Sequence, residues 1–354
     1  MTQRVLLRGA GDLEPGLRAS LGHLGAVVIE PGAPDPDHVI AFDADVDGHP
    51  DVVPDPRAVR LSADRESLRR LAADELGLPT APFWFVGSVD ELSALAEHAG
   101  FPLVVKPVAA HPGEPQSVLL RAEDIAAAWE RCAGPRQRVL AETVVEIDYE
   151  VTLITVRGAG PDLQFSEPIG HRQVDGSGET VLEAWQPHRL SGIALDAARS
   201  IAARITTALG GRGVFAVELL VRGDEVYFSD VSTRPPDAGL VTLRSQRLSV
   251  FDLYARVALG LPTDTIMISP AAAEVRYAQA DGPTAPIPTA TLNDALQVPE
   301  SDLRIFLQHN DSGGRDDSQG RRRAALLLAT GADVTTARDR VNQVSRALRK
   351  GWNQ

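Results

Sequence analysis

The sequence predicts a multidomain protein of mixed α/β and α+β class. Three patterns favour this class: a strand–glycine turn–helix start at residues 4–24, a β-hairpin at 214–231, and a final strand–helix pair at 324–350. At 354 residues the chain exceeds one typical core, which favours two or three domains. The predicted domains are a shortened α/β domain, a core of two α+β lobes and a small β-rich domain with a terminal helix, at residues 1–60, 61–265 and 266–354.

Composition and charge argue against several classes of protein. Hydrophobic residues make up 44% of the chain and charged residues 23%, as in ordinary globular proteins. The net charge of −13 argues against a nucleic-acid partner, because phosphate backbones repel an acidic surface. The single cysteine, Cys132, excludes a disulfide framework, and no apolar run reaches the about 20 residues that span a bilayer. Because the N-terminus also has no signal-peptide cleavage pattern, we expect a cytoplasmic protein with no membrane partner.

The first 30 residues predict a βαβ-type start. Residues 4–7 have a strand pattern, Gly9-Ala10-Gly11-Asp12 forms a turn, and residues 14–24 have a helix pattern. A glycine turn at a helix N-terminus is a candidate phosphate or ligand site. The same residues also occur wherever a strand turns sharply into a helix, so both interpretations stay open.

Two carboxylates on the predicted hairpin are the most informative residues. Glu218 in GVFAVELL and Asp230 in EVYFSDVSTRP lie in β-prone runs on either side of a Gly223-Asp224 turn. Pairing these runs brings both carboxylates together, and buried like charges repel unless a cation lies between them. Oxygen ligands of this kind suit Mg²⁺, and Arg234 could then reach a phosphate. An ordinary hairpin with one solvated and one capped carboxylate remains the alternative.

A lysine and two further carboxylates precede the hairpin. Lys106 lies in an apolar strand pattern at residues 102–108, where it needs an anion unless its side chain reaches water. The loop 111–116 has the pattern of a flap between two strands. Glu142 ends the next strand, which we expect to be an edge strand whose backbone binds an adenine, and Glu150 suits ribose hydroxyls. Charged residues on the wet face of a sheet are the alternative interpretation.

This order of lysine, flap, edge strand, paired carboxylates and arginine resembles the ATP-grasp superfamily. Within it, the chain resembles the formate-dependent phosphoribosylglycinamide formyltransferases. The resemblance implies an ATP-grasp fold with a short Rossmann-like N-terminal domain. The matching stretches cover most of residues 57–330, and they are ADRESLRRLAADELGLPT, VVKPV, VLAETVVEIDYEVTLITV, EPIGHRQ, EAWQPHRLS, ALGGRGVFAVELLVRGDEVYFSDVSTRPPDAGLVTLRSQ and GRRRAALLLAT.

The resemblance also implies a role for each matching residue. The implied ATP-binding residues are Arg65, Lys106, the flap residues His111, Gly113, Glu114 and Gln116, the adenine-framing Glu142, Thr143, Val144 and Val145, and Glu150 at the ribose. The implied Mg²⁺ ligands are Glu218 and Asp230, and the implied catalytic residues are Lys106 and Arg234. The implied substrate-binding residues are Asp12, Leu13 and Asp237 at the amine, with Arg322 and Arg323 at its ribose phosphate. His171-Arg172 is expected to line the active site.

The family's chemistry is the activation of formate by ATP to an acyl phosphate, which the glycinamide amine then attacks. The resemblance therefore implies ATP and Mg²⁺ as cofactors, small carboxylate and amine molecules as partners, and a homodimer. Mg²⁺ and the lysine would neutralise charge on the transferring phosphoryl group. The closed flap, near residues 109–117, would keep the mixed anhydride from water.

Two departures from the family pattern leave three functions open. The flap reads HPGEPQ where the family has a serine/glycine-rich loop resembling SSGKGQ, and a family segment before Arg57 that supplies a substrate-binding glutamate is missing. The first interpretation is a ligase that activates a carboxylate such as formate and joins it to a phosphoribosyl amine. The second is a specialised ligase with another acid and amine, and the third is a non-catalytic relative.

Overall fold

The computed structural model describes residues 2–43, 49, 51–109, 116–133, 137–175, 180–279, 286–306 and 321–352. The predicted flap residues His111, Gly113 and Glu114 lie outside the described residues. Within the described part, the strands form a four-stranded parallel sheet, a four-stranded antiparallel sheet and a nine-stranded antiparallel sheet. This mixture of parallel and antiparallel sheets with helices confirms the predicted fold class.

The N-terminal unit is the parallel sheet with one long helix. Its elements are β1 (Arg4–Arg8), α1 (Glu14–His23), β2 (Val27–Ile29), β3 (His38–Ala41) and β4 (Val52–Val53). The strand order is β2-β1-β3-β4. Val5 and Leu7 of β1 are buried and pack in one cluster with Leu17 and Leu21 of α1, as the predicted βαβ start requires.

The smaller lobe follows two short helices. Its elements, with those helices, are α2 (Pro56–Ser62), α3 (Arg65–Arg70), β5 (Phe83–Val86), α4 (Val89–Ala99), β6 (Leu103–Pro107), β7 (Ser117–Leu119), α5 (Ile125–Cys132) and β8 (Val139–Thr143). Ser88 is the N-cap of helix α4, because its side chain accepts a hydrogen bond from the Glu91 N–H. Leu103 and Leu119 of the sheet pack against Leu92 of α4, which places both helices on one face.

The strand that carries Glu142 is not the edge strand that we expected. The order of the sheet is β5-β8-β6-β7, so β8 pairs with a strand on each side. The run 139–142 is wholly buried, which explains the error: continuous burial is typical of an interior strand, whereas the interpretation relied on the polar residue at its end. Only the segment after Thr143 is open to a ligand, beginning with the exposed Val144.

The nine-stranded sheet forms the larger lobe and continues into the C-terminal region. Its elements and their covering helices are β9 (Tyr149–Arg157), β10 (Leu163–Phe165), β11 (Ile169–Asp175), β12 (Thr180–Gln186), α6 (Gly192–Leu209), β13 (Gly213–Arg222), β14 (Glu225–Ser232), α7 (Thr242–Ser245), α8 (Val250–Ala258), β15 (Ala271–Gln279), α9 (Thr289–Leu296), β16 (Ser301–Ile305), β17 (Arg321–Thr330) and α10 (Val334–Gly351). The order is β14-β13-β9-β11-β12-β15-β17-β16, with β10 paired to β9. Because β12 pairs with β15, one sheet crosses residue 265, and the domain boundary placed there stays a prediction.

The two faces of this sheet have different partners. Helices α6 and α10 cover one face with separate hydrophobic clusters. The other face packs on α8 and the N-terminal unit, in a cluster that includes Leu17, Phe251, Tyr254 and Ile154. Ser20 Oγ of α1 donates a hydrogen bond to Asp252 Oδ1 of α8 at 2.7 Å, which fixes the N-terminal unit over this face. Polar residues that are not covered on this second face form the candidate active site.

Candidate active site

The predicted hairpin brings three carboxylates onto one face of the large sheet. Glu218 of β13 lies directly opposite Asp230 of β14, and a β-bulge follows Glu218. On the other side, Glu218 pairs with Thr152 of β9 and Leu220 pairs with Glu150. Because paired residues share a face and alternate residues return to it, Glu150, Glu218 and Asp230 all lie on the same side. We call these three residues the carboxylate cluster; the predicted juxtaposition of Glu218 and Asp230 is confirmed.

The carboxylate cluster is electrostatically poised to take a cation. Burial, together with the neighbouring Asp230 and Glu150, raises the pKa of Glu218 to about 7 against the opposing effect of Lys106 and Arg65. Burial also raises the pKa of Glu150, opposed by Lys106. A divalent cation would remove this repulsion, since it favours the charged form of each carboxylate.

A second cluster joins the smaller lobe to the larger one. Lys106 Nζ of β6 lies 2.6 Å from Glu142 Oε2, and the Arg69 guanidinium of α3 donates to the other oxygen of the same carboxylate. Glu142 is only 4% exposed. Although burial opposes ionisation, Lys106 and Arg69 more than offset it and hold the pKa of Glu142 below its ordinary value. Lys106 therefore has a buried anion as its partner, as the apolar strand pattern requires.

Arg65 connects the two clusters. Its Nη1 donates to the carbonyl oxygens of Pro107 and Ala109 at 2.8 and 3.0 Å, at the end of β6 where the chain leaves for the flap. Its Nε lies 4.0 Å from Asp230 Oδ2. Arg65 and Lys106 thus both face the carboxylate cluster, and both lower the pKa of Glu218.

The predicted substrate residues meet at the junction of the N-terminal unit, the core and the C-terminal strands. Arg323 of β17 donates from Nη1 to Asp12 Oδ1 and from Nε to Asp237 Oδ1, each at 2.5 Å. The Tyr277 hydroxyl of β15 donates to the other oxygen of Asp237. Burial opposes the charge on Arg323, but Asp237 and Asp12 raise its pKa above the ordinary value, so the guanidinium remains a cation. We call Asp12, Asp237, Tyr277 and Arg323 the junction cluster.

One predicted substrate residue does not face this cluster. Leu13 is 2% exposed and packs in the hydrophobic cluster shared by α1, α8 and the large sheet. Its side chain is therefore unavailable to a substrate, and the role of Leu13 at the amine stays a prediction. Leu13 packs in the core although it is next to Asp12, because burying a leucine is favourable by about 2 kcal/mol.

The remaining predicted residues border these clusters. The Arg234 guanidinium lies over the ring of Phe42, 5.7 Å from its centroid, and the backbone N–H of Arg234 donates to Ser232 Oγ at 3.1 Å. Arg322 precedes Arg323 on β17 and pairs with Ala278. Gln116 is exposed just before β7, after the undescribed flap residues. Their roles stay predictions.

His171 lies beside the carboxylate cluster, whereas Arg172 points away from it. His171 of β11 pairs with Glu150 of β9, and its Nδ1 lies 3.8 Å from Glu150 Oε2. Burial lowers the pKa of His171 to about 4, with a further contribution from His188, so its imidazole is neutral. Arg172 Nε instead donates to Glu183 Oε2 at 2.8 Å on the opposite face.

Sequence reasoning missed two residues of the site. Arg69 was hidden in the helix pattern of LRRLAA, where arginine is ordinary, and Tyr277 was hidden in a strand pattern, where tyrosine is ordinary. The available signal for Arg69 was its position: it lies on the apolar side of α3, next to the buried Leu68 and about one helical turn before the buried Ala72. No comparable signal marked Tyr277.

The donor set fits Mg²⁺ rather than a metal held by protein alone. Among the described residues, no group of three or more histidine, cysteine, aspartate and glutamate side chains could hold a metal ion. Glu218 and Asp230 supply two facing carboxylates, and Mg²⁺ is commonly bound by one or two carboxylates together with substrate phosphates and water. These two residues would hold the ion.

Comparison with known proteins agrees with this geometry. The family model of the ATP-grasp domain matches residues 71–251. A formate-dependent phosphoribosylglycinamide formyltransferase of Burkholderia mallei is 43% identical over 395 aligned residues, covering 98% of this chain and 95% of the relative. The enzyme of the same name from Corynebacterium efficiens is 48% identical over 306 residues, covering 84% of this chain and 73% of the relative. The chain belongs to this family.

Solved structures place the fold in the same family. A structure titled glycinamide-RNase-transformylase T from Mycobacterium tuberculosis aligns with a TM-score of 0.77 and 43% identity, covering 98% of this chain and all of that one. A carboxyaminoimidazole ribonucleotide synthase complexed with ATP aligns with a TM-score of 0.79 at 19% identity, which shows the ATP-grasp fold alone. The predicted superfamily, family and enzyme class are confirmed, and the non-catalytic interpretation loses its support.

Two further observations concern the length of the chain and the character of its helices. The 395 aligned residues exceed the 354 of this chain, so the Burkholderia relative carries segments that this chain lacks. None of the described helices is long and apolar enough to cross a membrane.

Proposed function

We propose that this chain uses ATP to activate formate and transfers the formyl group to the amine of phosphoribosylglycinamide, with Mg²⁺ as the metal. The observation that carries this proposal is the placement of three predicted groups around one sheet face, in a chain 43% identical to such an enzyme over 98% of its length. These groups are the carboxylate cluster, the Lys106–Glu142 pair and the junction cluster.

The nucleotide is proposed to lie between the two lobes. Lys106 and Arg65 supply positive charge to its phosphates, Val144 and Val145 border the adenine, and Glu150 accepts from the ribose hydroxyls. The cavity that borders Arg65, Arg69, Lys106 and Asp230 measures about 10 Å³, whereas ligand pockets measure about 300–1,000 Å³. Binding therefore requires this cavity to widen. A larger cavity of about 550 Å³ lies elsewhere, beside Gln164 and Met267, and is lined by none of the predicted site residues.

Chemistry follows from the charges around the carboxylate cluster. A formate oxygen attacks the γ-phosphorus of ATP, the bond to ADP breaks, and formyl phosphate forms. Mg²⁺, when bound by Glu218 and Asp230, neutralises charge that develops on the phosphoryl oxygens. Lys106, Arg65 and Arg234 add fixed positive charge, which is effective because it needs no reorganisation during the step.

The junction cluster is proposed to hold the amine substrate. Asp12 and Asp237 carry two negative charges opposite the single positive charge of Arg323, so the cluster retains one negative charge that suits an ammonium group. Arg322 and Arg323 suit the ribose phosphate. The ammonium group first loses a proton to water, and the free amine then attacks the formyl carbon. The bond from that carbon to phosphate breaks, and the leaving phosphate takes the second proton from the nitrogen.

A specialised ligase with another acid and amine is the second candidate function. The HPGEPQ flap and the segment missing before Arg57 favour it, because both differ from the family at positions that close on or bind substrate. The homodimer and the cytoplasmic location likewise stay predictions.

ADP release by the purified protein with Mg-ATP and formate, with and without phosphoribosylglycinamide, tests the proposal. We expect release that requires both substrates and stoichiometric formation of the formylated amine, seen by mass spectrometry. Release stimulated only by another acid–amine pair would support the second candidate and contradict the first.

A further inference from the structure

Arg69 occupies the seam between the two lobes. Its side chain is 5% exposed and donates from Nη1 to the Phe228 carbonyl at 3.1 Å and from Nη2 to the Ser229 carbonyl at 3.0 Å. Both acceptors belong to β14 of the larger lobe. The same guanidinium binds the carboxylate of Glu142 in the smaller lobe and lies 5.6 Å from the centroid of the Phe83 ring. None of the roles proposed above explains why an arginine is buried at this place.

Two cationic side chains with different proposed roles bind the Glu142 carboxylate. Arg69 binds one carboxylate oxygen, and Lys106 Nζ lies 2.6 Å from the other. Lys106 is the proposed phosphate ligand, so a bound nucleotide competes with Glu142 for its ammonium group. Arg69 has no such competitor, because its other donors are already bonded to two backbone carbonyls of β14.

We propose that Arg69 is a positioning residue for the nucleotide: it keeps the Glu142 carboxylate ionised and in place while Lys106 turns from Glu142 to the phosphates. The inference rests on the proposed function, since it requires that the seam bind a nucleotide. In the free protein Lys106 is paired with Glu142. Nucleotide binding moves the Lys106 ammonium group to a phosphate, and Glu142 keeps Arg69 as its partner.

The charges around Glu142 support this division of roles. Three groups face it: Lys106 from β6, and Arg69 and Arg65 from α3. Burial alone raises the pKa of a carboxyl group, and the three cations reverse that effect. If Lys106 turns to a phosphate and Arg69 is absent, Glu142 is left 4% exposed with the more distant Arg65 as its remaining cation. A carboxylate in that position takes up a proton.

The experiment is calorimetric titration of the wild type and R69Q with Mg²⁺ and a non-hydrolysable imido analogue of ATP at pH 6.5. Glutamine keeps an amide donor for the β14 carbonyls but removes the charge. Titration in two buffers that differ in ionisation enthalpy gives the number of protons taken up. We expect R69Q to take up about 0.5–1 more proton per nucleotide than the wild type, because burial raises the pKa of a carboxyl group that has lost its two nearest cations. Its affinity for the analogue should fall about tenfold.

Three variants separate this role from a merely structural one. R70Q is the matched control, because Arg70 is the next residue of α3, its side chain is 55% exposed, and it pairs with Glu66 instead. R69Q/E142Q should return the proton count to the wild-type value, since the carboxyl group at position 142 is removed. R69K keeps the charge and should also keep the wild-type count; circular dichroism checks that each variant is folded.

The outcomes are distinct. An unchanged proton count in folded R69Q, with nucleotide still bound, would overturn the inference and leave the proposed function standing. If R69Q does not fold, proton uptake by R69K would overturn it equally, because a retained charge would then have failed to hold Glu142. Absence of nucleotide binding by the wild type would overturn the proposed function and the inference together.

Discussion

At the scale of single residues, the site consists of ionisable groups whose charge is set by burial and by their neighbours. Glu218 has a raised pKa and Glu142 a lowered one, although both are carboxyl groups in the same cleft. The difference lies in their partners: Glu218 faces two other carboxylates, whereas Glu142 faces Lys106 and Arg69. The two glutamates therefore differ in role. Glu218 is suited to bind an added cation, whereas Glu142 is already paired with cationic side chains.

Replacing the proposed metal ligands should affect activity through Mg²⁺. We expect E218Q and D230N each to lower the rate of ADP release by about 100-fold or more and to raise the Mg²⁺ concentration needed for half-maximal rate. D230E should keep most of the activity, because glutamate supplies the same oxygen ligands from one carbon further away. E225Q, an exposed change on the same hairpin, is the control. A normal Mg²⁺ dependence in E218Q would contradict the assignment.

His171 should make the free energy of unfolding depend on acid pH. Its folded pKa of about 4 lies below the ordinary value of 6.5, so between those values the unfolded chain binds more protons and stability is lost as the pH falls. From pH 7.5 to pH 5 this loss amounts to about 2 kcal/mol. We expect H171N to lack that part of the pH dependence in urea unfolding.

The control for this experiment is H98N at an exposed position of α4, which should leave the pH dependence as it is in the wild type. If H171N and the wild type lose equal free energy between pH 7.5 and pH 5, His171 is not a buried neutral imidazole.

At the scale of secondary-structure elements, helix α1 is what fixes the N-terminal unit over the site. A Cβ atom built on Gly16 would lie 2.7 Å from the Phe251 ring of α8, so the two helices touch at a position where only glycine fits. On the same helix, a Cβ on Gly22 would meet nothing within 4 Å, and Gly22 is exposed. Close packing therefore requires glycine at position 16 but not at position 22.

Alanine at these two positions should change stability in opposite directions. We expect G16A to destabilise the protein by about 1–3 kcal/mol, because the added methyl group overpacks the contact with Phe251. G22A should stabilise it by roughly 0.5 kcal/mol, because alanine has the higher helix propensity. Thermal unfolding of both variants measures the difference, and a stabilised G16A would show that α1 and α8 do not pack this closely.

The sequence patterns predicted most of these elements because hydrophobic periodicity is a local property. The ladder between β13 and β14 places Glu218 opposite Asp230 as expected, and β17 and α10 lie within a few residues of the final strand–helix pair predicted at 324–350. The error at β8 has a different origin: whether a strand is interior or at an edge depends on which other strands pair with it. That is settled by β5 and β6, which lie far from it in sequence.

At the scale of the whole molecule, the junction cluster ties together three distant parts of the chain. Asp12 comes from the N-terminal unit, Asp237 from the segment after β14, and Arg323 from β17. A substrate that binds here contacts all three parts at once. Its affinity therefore depends on how the N-terminal unit and the C-terminal strands are docked, as well as on the individual side chains.

Removing the paired arginines should weaken binding of the amine substrate selectively. We expect R322Q/R323Q to raise the KM for phosphoribosylglycinamide by about tenfold or more, because two charge-assisted contacts to its phosphate are lost. The KM for ATP should change by less than about twofold, since the proposed nucleotide site lies between the two lobes, away from the junction cluster. R304Q, at an exposed position of the neighbouring strand β16, is the control. Equal changes in both KM values would indicate a general loss of structure instead.

The sequence by itself determined the family, the fold class, the hairpin and its facing carboxylates, because each of these depends on local periodicity or on motifs that are contiguous in the chain. Only the tertiary structure decided that Leu13 packs in the core and that β8 is interior. It also decided that one sheet crosses residue 265 and that Arg69 shares Glu142 with Lys106. The physical reason is the same in each case: burial and charge pairing are properties of residues brought together from distant positions, and no local pattern records which partner a buried group will meet.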